Sequence, residues 1–345
     1  MDVSLFDYTL PPDRIAQYPA EQRDASRFLV GDRATGRWED RVFAELPDLI
    51  WRGDVLVVND SRVIPARLLG RLEPGGAQVE LLFVRAVGGA AWEALAKPGK
   101  RCHPGAVVVF GDGQARARVV AVAGEGRRIV ELEGGRSVRE VLERYGVPPL
   151  PPYITRHQKP GEEDWERYQT VYARHDGSVA APTAGLHFTP ALLDRLRAAG
   201  IAIETLTLHV GPGTFRPIRA ARVEAHRMEA EDVTISPAVA EAINRAKGEG
   251  RRVIAVGTTT CRALESAADE DGRVRPLSGP TDLFIYPGYR FKVLDALLTN
   301  FHLPRSSLFL LVCAFAGREL TLDVYRHAVK AGYRFYSYGD AMLIR

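Results

Sequence analysis

The sequence predicts an α/β protein with a mostly parallel sheet and a small β-barrel inserted into it. Three observations support this fold class. An apolar strand pattern at residues 54–58 precedes the insertion, the insertion carries strand patterns only, and strands alternate with helices after the Pro-rich residues 148–152. Alternating strands and helices favour parallel pairing through right-handed crossovers.

Capping residues mark the helices of the second half. Thr189-Pro190 opens one helix and Gly200 follows it, while Ser236-Pro237 opens the next. A capping hydroxyl, proline at the first helical position and glycine just past the end are typical of a helix. The predicted helices are residues 191–199, 238–247, 262–268, 306–316 and 322–331, and the predicted strands around them are 201–208, 252–256 and 333–344.

Residues 63–135 differ in pattern from both flanks. Short β-prone runs at 78–84, 106–110, 115–123 and 128–132 are separated by Gly-rich turns. Strands at this spacing are typical of a small barrel or sandwich. We therefore predict a discontinuous α/β catalytic domain of residues 1–62 and 136–345, and an inserted β-barrel domain of residues 63–135.

Length and composition exclude several classes of protein. With 345 residues, 46% of them apolar and 26% charged, the chain is close to the globular average, which excludes disordered, collagenous and coiled-coil proteins. The longest apolar run, residues 308–316, is about half of the ~20 residues that span a bilayer. No basic flank precedes an apolar stretch at the start, so we expect neither a signal peptide nor a membrane anchor.

A threonine-rich segment is the first candidate site. The buried strand pattern at 252–256 runs into Gly257, Thr258, Thr259 and Thr260 just before a predicted helix. The unpaired amides at a helix start accept a carboxylate or phosphate, and hydroxyls can orient it. This segment would lie at the carboxyl edge of the sheet, where open α/β folds bind ligands. A threonine N-cap with spare hydroxyls explains the pattern equally well.

A glycine bend and three histidines are further candidates. The strand pattern ending at His209 runs into Gly211-Pro-Gly213, where glycine permits either a plain turn or close approach to a ligand. His187 lies in an apolar, irregular stretch in which a histidine needs partners. His302 is polar among hydrophobic residues and is either a core histidine or a site residue. A histidine at a site can act as general acid or base near neutral pH.

The sequence does not favour a metal site or a catalytic thiol. No His-x-x-x-His, His-Glu-x-x-His or cysteine cluster occurs. Cys102, Cys261 and Cys313 are far apart, which fits a reducing cytoplasm. Cys261 at a helix start is a weak nucleophile candidate, because a buried structural thiol explains it as well.

Basic and aromatic residues suited to single-stranded RNA occur in two groups. Arginine and lysine bind phosphates, and aromatic rings stack on bases, although scattered surface charge gives the same pattern. They are Arg62, Arg67, Arg71, Lys97, Lys100, Arg101, Arg116 and Arg118 in and near the insertion, and Tyr153, Arg156, His157, Lys159, Trp165 and Tyr168 beyond it.

Taken together, these segments resemble the S-adenosylmethionine:tRNA ribosyltransferase-isomerase family of queuosine biosynthesis. The resemblance runs nearly end to end, and only residues 72–135 depart much from it. The segments that carry it are residues 7–17, Asn59-Asp-Ser-Arg-Val-Ile-Pro-Ala-Arg67, residues 149–154 and 168–173, Gly177-Ser-Val-Ala-Ala-Pro-Thr-Ala-Gly-Leu-His-Phe188, both loops above, Leu298-Thr-Asn-Phe-His-Leu-Pro304 and residues 333–340.

The resemblance implies transfer and isomerisation of the ribosyl part of S-adenosylmethionine onto 7-aminomethyl-7-deazaguanine at the tRNA wobble position, giving epoxyqueuosine with release of adenine and methionine. S-adenosylmethionine is then a consumed cosubstrate, with no resident cofactor. The implied acid–base residues are His187 or His209, with Glu229 or Glu231 orienting or substituting. The implied substrate-binding residues are Asp60, Arg62, Thr183, Gly211, Gly213, Thr214, Gly257, Thr258, Thr259, Thr260, Asn300, His302 and Asp340.

Other function classes stay open at the level of the sequence. A tRNA methyltransferase would use the same small molecule, a non-enzymatic module would bind the tRNA anticodon stem-loop without turnover, and a hydrolase would use Cys261. We expect a cytoplasmic protein without membrane association. We also expect a monomer, because a large RNA must reach a cleft between the two domains.

Overall fold

The chain forms one large mixed sheet and one closed barrel. The computed structural model describes residues 1–124, 126–156, 162–215 and 217–345, and within these ranges the strands are numbered in chain order. They are β1 Arg27–Asp32, β2 Arg37–Val42, β3 Val55–Asn59, β4 Ser61–Val63, β5 Arg67–Glu73, β6 Gln78–Gly88, β7 Ala91–Lys97, β8 Val107–Phe110, β9 Ala115–Val122, β10 Arg127–Leu132, β11 His175–Ser178, β12 Ala202–Leu208, β13 Glu231–Ile235, β14 Val253–Val256, β15 Leu277–Thr281, β16 Ala296–Asn300 and β17 Ala341–Ile344.

The helices lie mostly in the second half of the chain, as predicted. Thr189 caps α4 by accepting from the Leu192 amide at 3.1 Å, and Ser236 caps α5 by accepting from the Val239 amide at 3.3 Å. The helices are α1 Leu46–Leu49, α2 Val138–Tyr145, α3 Glu162–Arg167, α4 Pro190–Ala198, α5 Pro237–Gly248, α6 Thr258–Ala267, α7 Ser307–Ala316 and α8 Arg318–Lys330. No helix in the described part of the chain is both long and apolar enough to cross a membrane.

The centre of the large sheet is parallel. Its strand order is β15-β13-β12-β3-β14-β16-β17-β1-β2, and the four neighbours from β12 to β16 all run in the same direction. Antiparallel pairs add β13 and β15 at one side and β2 at the other, and β17 runs opposite to β16. The α/β class is confirmed, and the carboxyl ends of four parallel strands meet at one edge of the sheet.

Helices cover both faces of the sheet. Alternate residues of β3 point to opposite sides, with Val55 and Val57 in one apolar core and Leu56 and Val58 in the other. Helices α5 to α8 pack on the first side and α4 on the second. This three-layer arrangement fixes the strand ends that carry the candidate site.

The inserted part is a closed six-stranded antiparallel barrel. The strands follow the order β10-β7-β6-β5-β8-β9, and β10 pairs with β9 to close it. Helix α2 adds Val138, Val141 and Leu142 to the barrel's apolar core. Where the chain enters and leaves the barrel, the amide of Val147 donates to the carbonyl of Arg67 at 2.9 Å. The barrel strands lie within the predicted residues 63–135, and the domain limits themselves stay a prediction.

Several predicted boundaries differ from the structure, among them the start of α8, which lies at Arg318 and not at 322. Helix α6 starts at Thr258, four residues before the predicted start, so the threonines form its first turn rather than a loop. The predicted strand at 333–344 is limited to β17, because Tyr336 adopts φ 75° and the chain turns there. A left-handed residue cannot continue an extended strand.

Candidate active site

A cleft opens at the carboxyl edge of the parallel strands. Its walls come from the ends of β14 and β16, the first turn of α6, the irregular segment around residue 183, the bend at 214, and Tyr153 and Tyr336. Seven of the predicted substrate-binding residues line it: Thr183, Thr214, Gly257, Thr258, Thr259, Asn300 and His302.

The first turn of α6 faces this cleft. Gly257 adopts φ 91°, which turns the chain from β14 into the helix, and Thr258 and Thr259 follow on the cleft wall. The Thr259 hydroxyl is buried and has no hydrogen-bond partner among the described residues. The Thr260 hydroxyl instead donates to the Val256 carbonyl at 2.7 Å, inside the core. The turn therefore offers two of its three hydroxyls, together with the unpaired amides of a helix start.

Asn300 lies at the end of β16, and its side-chain amide nitrogen has two protein partners. The nitrogen donates to the Tyr336 carbonyl at 3.1 Å and lies 3.2 Å from Nε2 of His187. His187 itself is buried behind the wall, with Nδ1 2.9 Å from the Ser26 hydroxyl. Burial lowers the pKa of His187 to about 3, so its imidazole is neutral at pH 7.

His302 lies on the cleft wall, and among the described lining residues it is the one with an ordinary side-chain pKa near neutrality. Its Nε2 lies 2.9 Å from the Thr299 hydroxyl, and its backbone amide donates to the Tyr325 hydroxyl at 3.2 Å. Burial lowers the pKa of His302 to about 3. Among the described lining residues there is no Asp, Glu, Lys or Arg, so the cleft is polar without fixed charge.

Glu231 supports the glycine bend rather than lining the cleft. It accepts from the Gly211 amide at 2.9 Å and from the Thr214 hydroxyl at 3.2 Å, and it forms a buried ion pair with Arg262 of α6. Glu231 therefore connects the bend to the helix whose first turn forms the opposite wall.

Glu229 connects the same bend to the barrel. Its Oε1 lies 2.5 Å from Nη2 of Arg127 in β10, and its carboxylate lies against Gly213, 2.7 Å from where a Cβ would be. Glycine at 213 lets this carboxylate lie close to the backbone. Neither predicted glutamate lines the cleft.

Three other predicted site residues, Asp60, His209 and Arg62, lie together near the carboxyl end of β3. Asp60 accepts from the Thr207 hydroxyl at 2.7 Å. The His209 ring packs on Gly177, and burial lowers its pKa. Arg62 is exposed and donates to the Ala173 carbonyl at 2.7 Å. The structure does not place this group on the cleft wall.

Asp340 is buried behind the cleft and fixes the backbone there. It accepts from the amides of Arg27 at 3.1 Å and Arg334 at 2.7 Å. Burial raises the pKa of this carboxyl above its ordinary value. Asp340 holds the turn that presents Tyr336.

Two tyrosines of the cleft were not among the predicted substrate-binding residues: Tyr336 was not named, and Tyr153 was predicted as an RNA contact. The rings of Tyr153 and Tyr336 lie 4.0 Å apart between centroids, tilted by 43°. Within the described residues the buried Tyr336 hydroxyl has no partner. Both tyrosines belong to segments that carried the family resemblance, so that resemblance was the available signal.

The structure argues against a reactive thiol. Cys261 is fully buried in α6, and burial raises its pKa well above the ordinary value. A thiol so protected is a poor nucleophile. In the described ranges no group of three or more His, Cys, Asp or Glu side chains is arranged to hold a metal ion.

The candidate RNA-contacting residues have different surroundings. Arg156 stacks over the exposed Tyr18 ring at 4.8 Å, and Trp165 is 37% exposed. Arg116 and Arg118 pair with Glu133, and Tyr168 is buried. His157 and Lys159 lie outside the described residues.

Comparison with known proteins identifies the family. A sequence profile described as a queuosine biosynthesis protein matches residues 3–344. The chain belongs to the queuosine biosynthesis family. The family predicted from the sequence motifs is thereby confirmed.

Relatives of this queuosine family member match over their whole length. The chain is 54% identical over 344 residues to the S-adenosylmethionine:tRNA ribosyltransferase-isomerase of Desulfitobacterium hafniense, with 100% of both chains covered. It is 54% identical over 345 residues to the protein of that name in Moorella thermoacetica, again with 100% of both covered. A crystal structure of S-adenosylmethionine tRNA ribosyltransferase from Thermotoga maritima matches with 36% identity and a TM-score of 0.57, covering 99% of this chain and 100% of that chain.

Proposed function

We propose that this protein is an S-adenosylmethionine:tRNA ribosyltransferase-isomerase. It transfers and isomerises the ribosyl part of S-adenosylmethionine onto 7-aminomethyl-7-deazaguanine at the wobble position of tRNA, giving epoxyqueuosine and releasing adenine and methionine. The observation that carries this proposal is full-length similarity, at 51–54% identity, to relatives with that name. The cleft at the carboxyl edge of the sheet supports it, because ligands bind there in open α/β folds.

The cleft suits a sulfonium nucleoside. The first turn of α6 presents amides and hydroxyls to the methionine carboxylate, which a helix start stabilises by partial positive charge. The tyrosine rings offer π-faces, to which an organic cation or a purine binds. The absence of Lys and Arg from the described wall avoids repulsion of the positively charged sulfur.

His302 is the group that we propose removes the 5′ proton of the ribosyl unit. A general base must be within hydrogen-bond reach of the proton, and His302 lines the cleft whereas His187 and His209 do not. Proton transfer from a sulfonium substrate moves a positive charge onto the imidazole without adding charge to the buried cleft. The low pKa of free His302 reflects the cost of bringing a new charge there.

The remaining assignments stay predictions. Asp60 and Arg62 at the β3 end are the proposed contacts for the aminomethyl base and the anticodon stem-loop. A monomeric state and a cytoplasmic location are likewise proposed from the sequence.

One incubation tests the function. The protein is mixed with S-adenosylmethionine labelled in adenine and tRNA that carries the precursor base, and the products are separated. Release of free adenine, dependent on the tRNA, is expected. Formation of S-adenosylhomocysteine would indicate a methyltransferase, and tRNA binding without any product would indicate a binding module.

His302→Gln tests the proposed base. Removing a general base costs about 10²–10⁴-fold in rate, and glutamine keeps a polar side chain next to Thr299. Adenine release should fall by at least about 100-fold in a variant that still binds S-adenosylmethionine. Near-normal release in folded His302→Gln would exclude His302 as the base and return His187 and His209 to consideration.

A further inference from the structure

The side-chain amide of Asn300 has a single orientation that its neighbours allow. Its nitrogen lies 3.1 Å from the Tyr336 carbonyl oxygen, which can only accept. Turning the amide over would place two oxygens against each other. The nitrogen also lies 3.2 Å from Nε2 of His187, so both of its hydrogens have acceptors.

A chain of hydrogen bonds sets the tautomer of His187. The Ser26 hydroxyl donates to the Arg23 carbonyl at 3.1 Å, which leaves its oxygen to accept from Nδ1–H of His187 at 2.9 Å. Nε2 then carries the lone pair that accepts from Asn300. Both ring nitrogens are occupied by protein groups, and the imidazole acts through Asn300 rather than on a ligand.

This arrangement leaves the Asn300 oxygen for the cleft. Asn300 lines the cleft and both hydrogens of its nitrogen have acceptors in the protein, so its oxygen is the side-chain atom that is left for a ligand. No donor within the described ranges reaches this buried oxygen, and the same holds for the hydroxyls of Thr259 and Tyr336 on the same wall. Buried polar atoms are almost always satisfied, and these three lie on one cleft wall, where the polar groups of a ligand would satisfy them.

We infer that the Asn300 side-chain oxygen accepts a hydrogen bond from an N–H or O–H donor of the bound sulfonium nucleoside, and that His187 is the positioning residue that holds it for this purpose. The inference rests on the proposed function, which supplies the ligand. Four donors of S-adenosylmethionine share this chemistry: the adenine amino group, the two ribose hydroxyls and the methionine ammonium group. Asn300 accepts without charge, which suits a site that must also admit a cation.

Under this inference two substitutions of His187 should affect ligand binding differently, whereas a purely structural role of His187 predicts the same effect for both. In His187→Gln the terminal amide oxygen can take the place of Nε2 as acceptor, whereas in His187→Leu the acceptor is lost and a side chain of similar bulk remains. Asn300→Ala removes the oxygen itself. Each folded variant is checked by thermal unfolding before binding is measured.

The probes are S-adenosylmethionine and four analogues that each lack one donor: the 6-amino group, the 2′-hydroxyl, the 3′-hydroxyl or the methionine amino group. Dissociation constants are measured calorimetrically without tRNA, so no turnover is required. We expect the wild-type protein to bind one analogue about tenfold more weakly than S-adenosylmethionine, because that analogue leaves the buried oxygen unpaired. The analogue that is weakened identifies the donor.

The variants then test the role of His187. His187→Gln should keep the discrimination against that analogue, while His187→Leu and Asn300→Ala should reduce it to about onefold. Wild-type discrimination in folded His187→Leu, or equal binding of all five probes by the wild type, would overturn the inference. The proposed function fails separately, if the wild type releases no adenine with S-adenosylmethionine and precursor tRNA.

Discussion

The carboxylate of Glu231 forms a buried ion pair with Arg262, and this contact joins the glycine bend to helix α6. The two side chains are only 4% and 3% exposed, and Glu231 also accepts from the Gly211 amide. Removing one partner of a buried pair leaves an uncompensated charge, which costs about 3–5 kcal/mol. The bend and the helix start are therefore coupled through a single side chain.

Glu231→Gln should lower the free energy of unfolding by about 3–5 kcal/mol, measured by urea denaturation at pH 7. Glu224→Gln is the matched control, because Glu224 is 47% exposed and pairs with the N-terminus at the surface. A surface pair contributes only about 0–1 kcal/mol. Equal losses in both variants would contradict the structural role given to Glu231.

Thr259 and Thr260 form a second matched pair. The Thr259 hydroxyl lacks a partner within the described part of the chain, whereas the Thr260 hydroxyl donates to Val256 at 2.7 Å. Thr259→Val should weaken S-adenosylmethionine binding about five- to tenfold with little effect on stability. Thr260→Val should cost about 1 kcal/mol of stability and leave the affinity unchanged. Calorimetric binding and urea denaturation of both variants distinguish these outcomes, and weaker binding in Thr260→Val alone would reverse the assignment.

Gly177 gives a test of where His209 lies. This glycine has φ 144°, and a Cβ there would lie 2.9 Å from the His209 ring. Gly177→Ala should therefore cost about 1–3 kcal/mol through strain and overlap. Adding His209→Ala should recover part of that loss, because it removes the overlap but not the strain. Thermal denaturation of the single and double variants measures the recovery, and strict additivity would argue against the contact.

The two buried histidines predict how stability depends on pH. Burial lowers the folded-state pKa of His187 and of His302 to about 3, from about 6.5 in the unfolded chain. The unfolded state then binds more protons between pH 3 and 6.5, so stability decreases as the pH falls through this window. Each histidine contributes up to about 1.4 kcal/mol per pH unit.

Urea denaturation at pH 4.5, 5.5 and 7.5 measures this slope. The double variant His187→Gln/His302→Gln should show a flatter dependence than the wild type. NMR spectra of the imidazole nitrogens should show both histidines neutral from pH 5 to 8. A titration of either ring near pH 6.5 would contradict their burial.

Much of the fold could be predicted because local signals and tertiary structure agree. Thr189-Pro190 and Ser236-Pro237 cap α4 and α5 as their sequence indicates. Strand β7, Ala91–Lys97, was missed, because alanine, glutamate and lysine have low β-propensity and only pairing within the barrel makes this segment a strand.

Only part of the candidate site could be predicted from the sequence. Gly257 was placed at the carboxyl edge because it follows a predicted strand, whereas β16 was not predicted and Asn300 was named only from the family resemblance. Tyr336 reaches the cleft through a left-handed residue in an irregular turn, which no periodic pattern signals. The inward position of His187 depends on its contacts with Ser26 and Asn300, which are distant in sequence.

Because Arg67 pairs with Val147, the two chain connections between the barrel and the rest of the protein lie side by side. The barrel is thus tethered to the sheet at one place, and the pair of Arg127 with Glu229 is a second contact, which reaches the bend beside the cleft. Chimeras that carry the barrels of relatives should therefore keep an arginine at position 127, so that any change in tRNA affinity can be assigned to the barrel surface and not to a displaced bend.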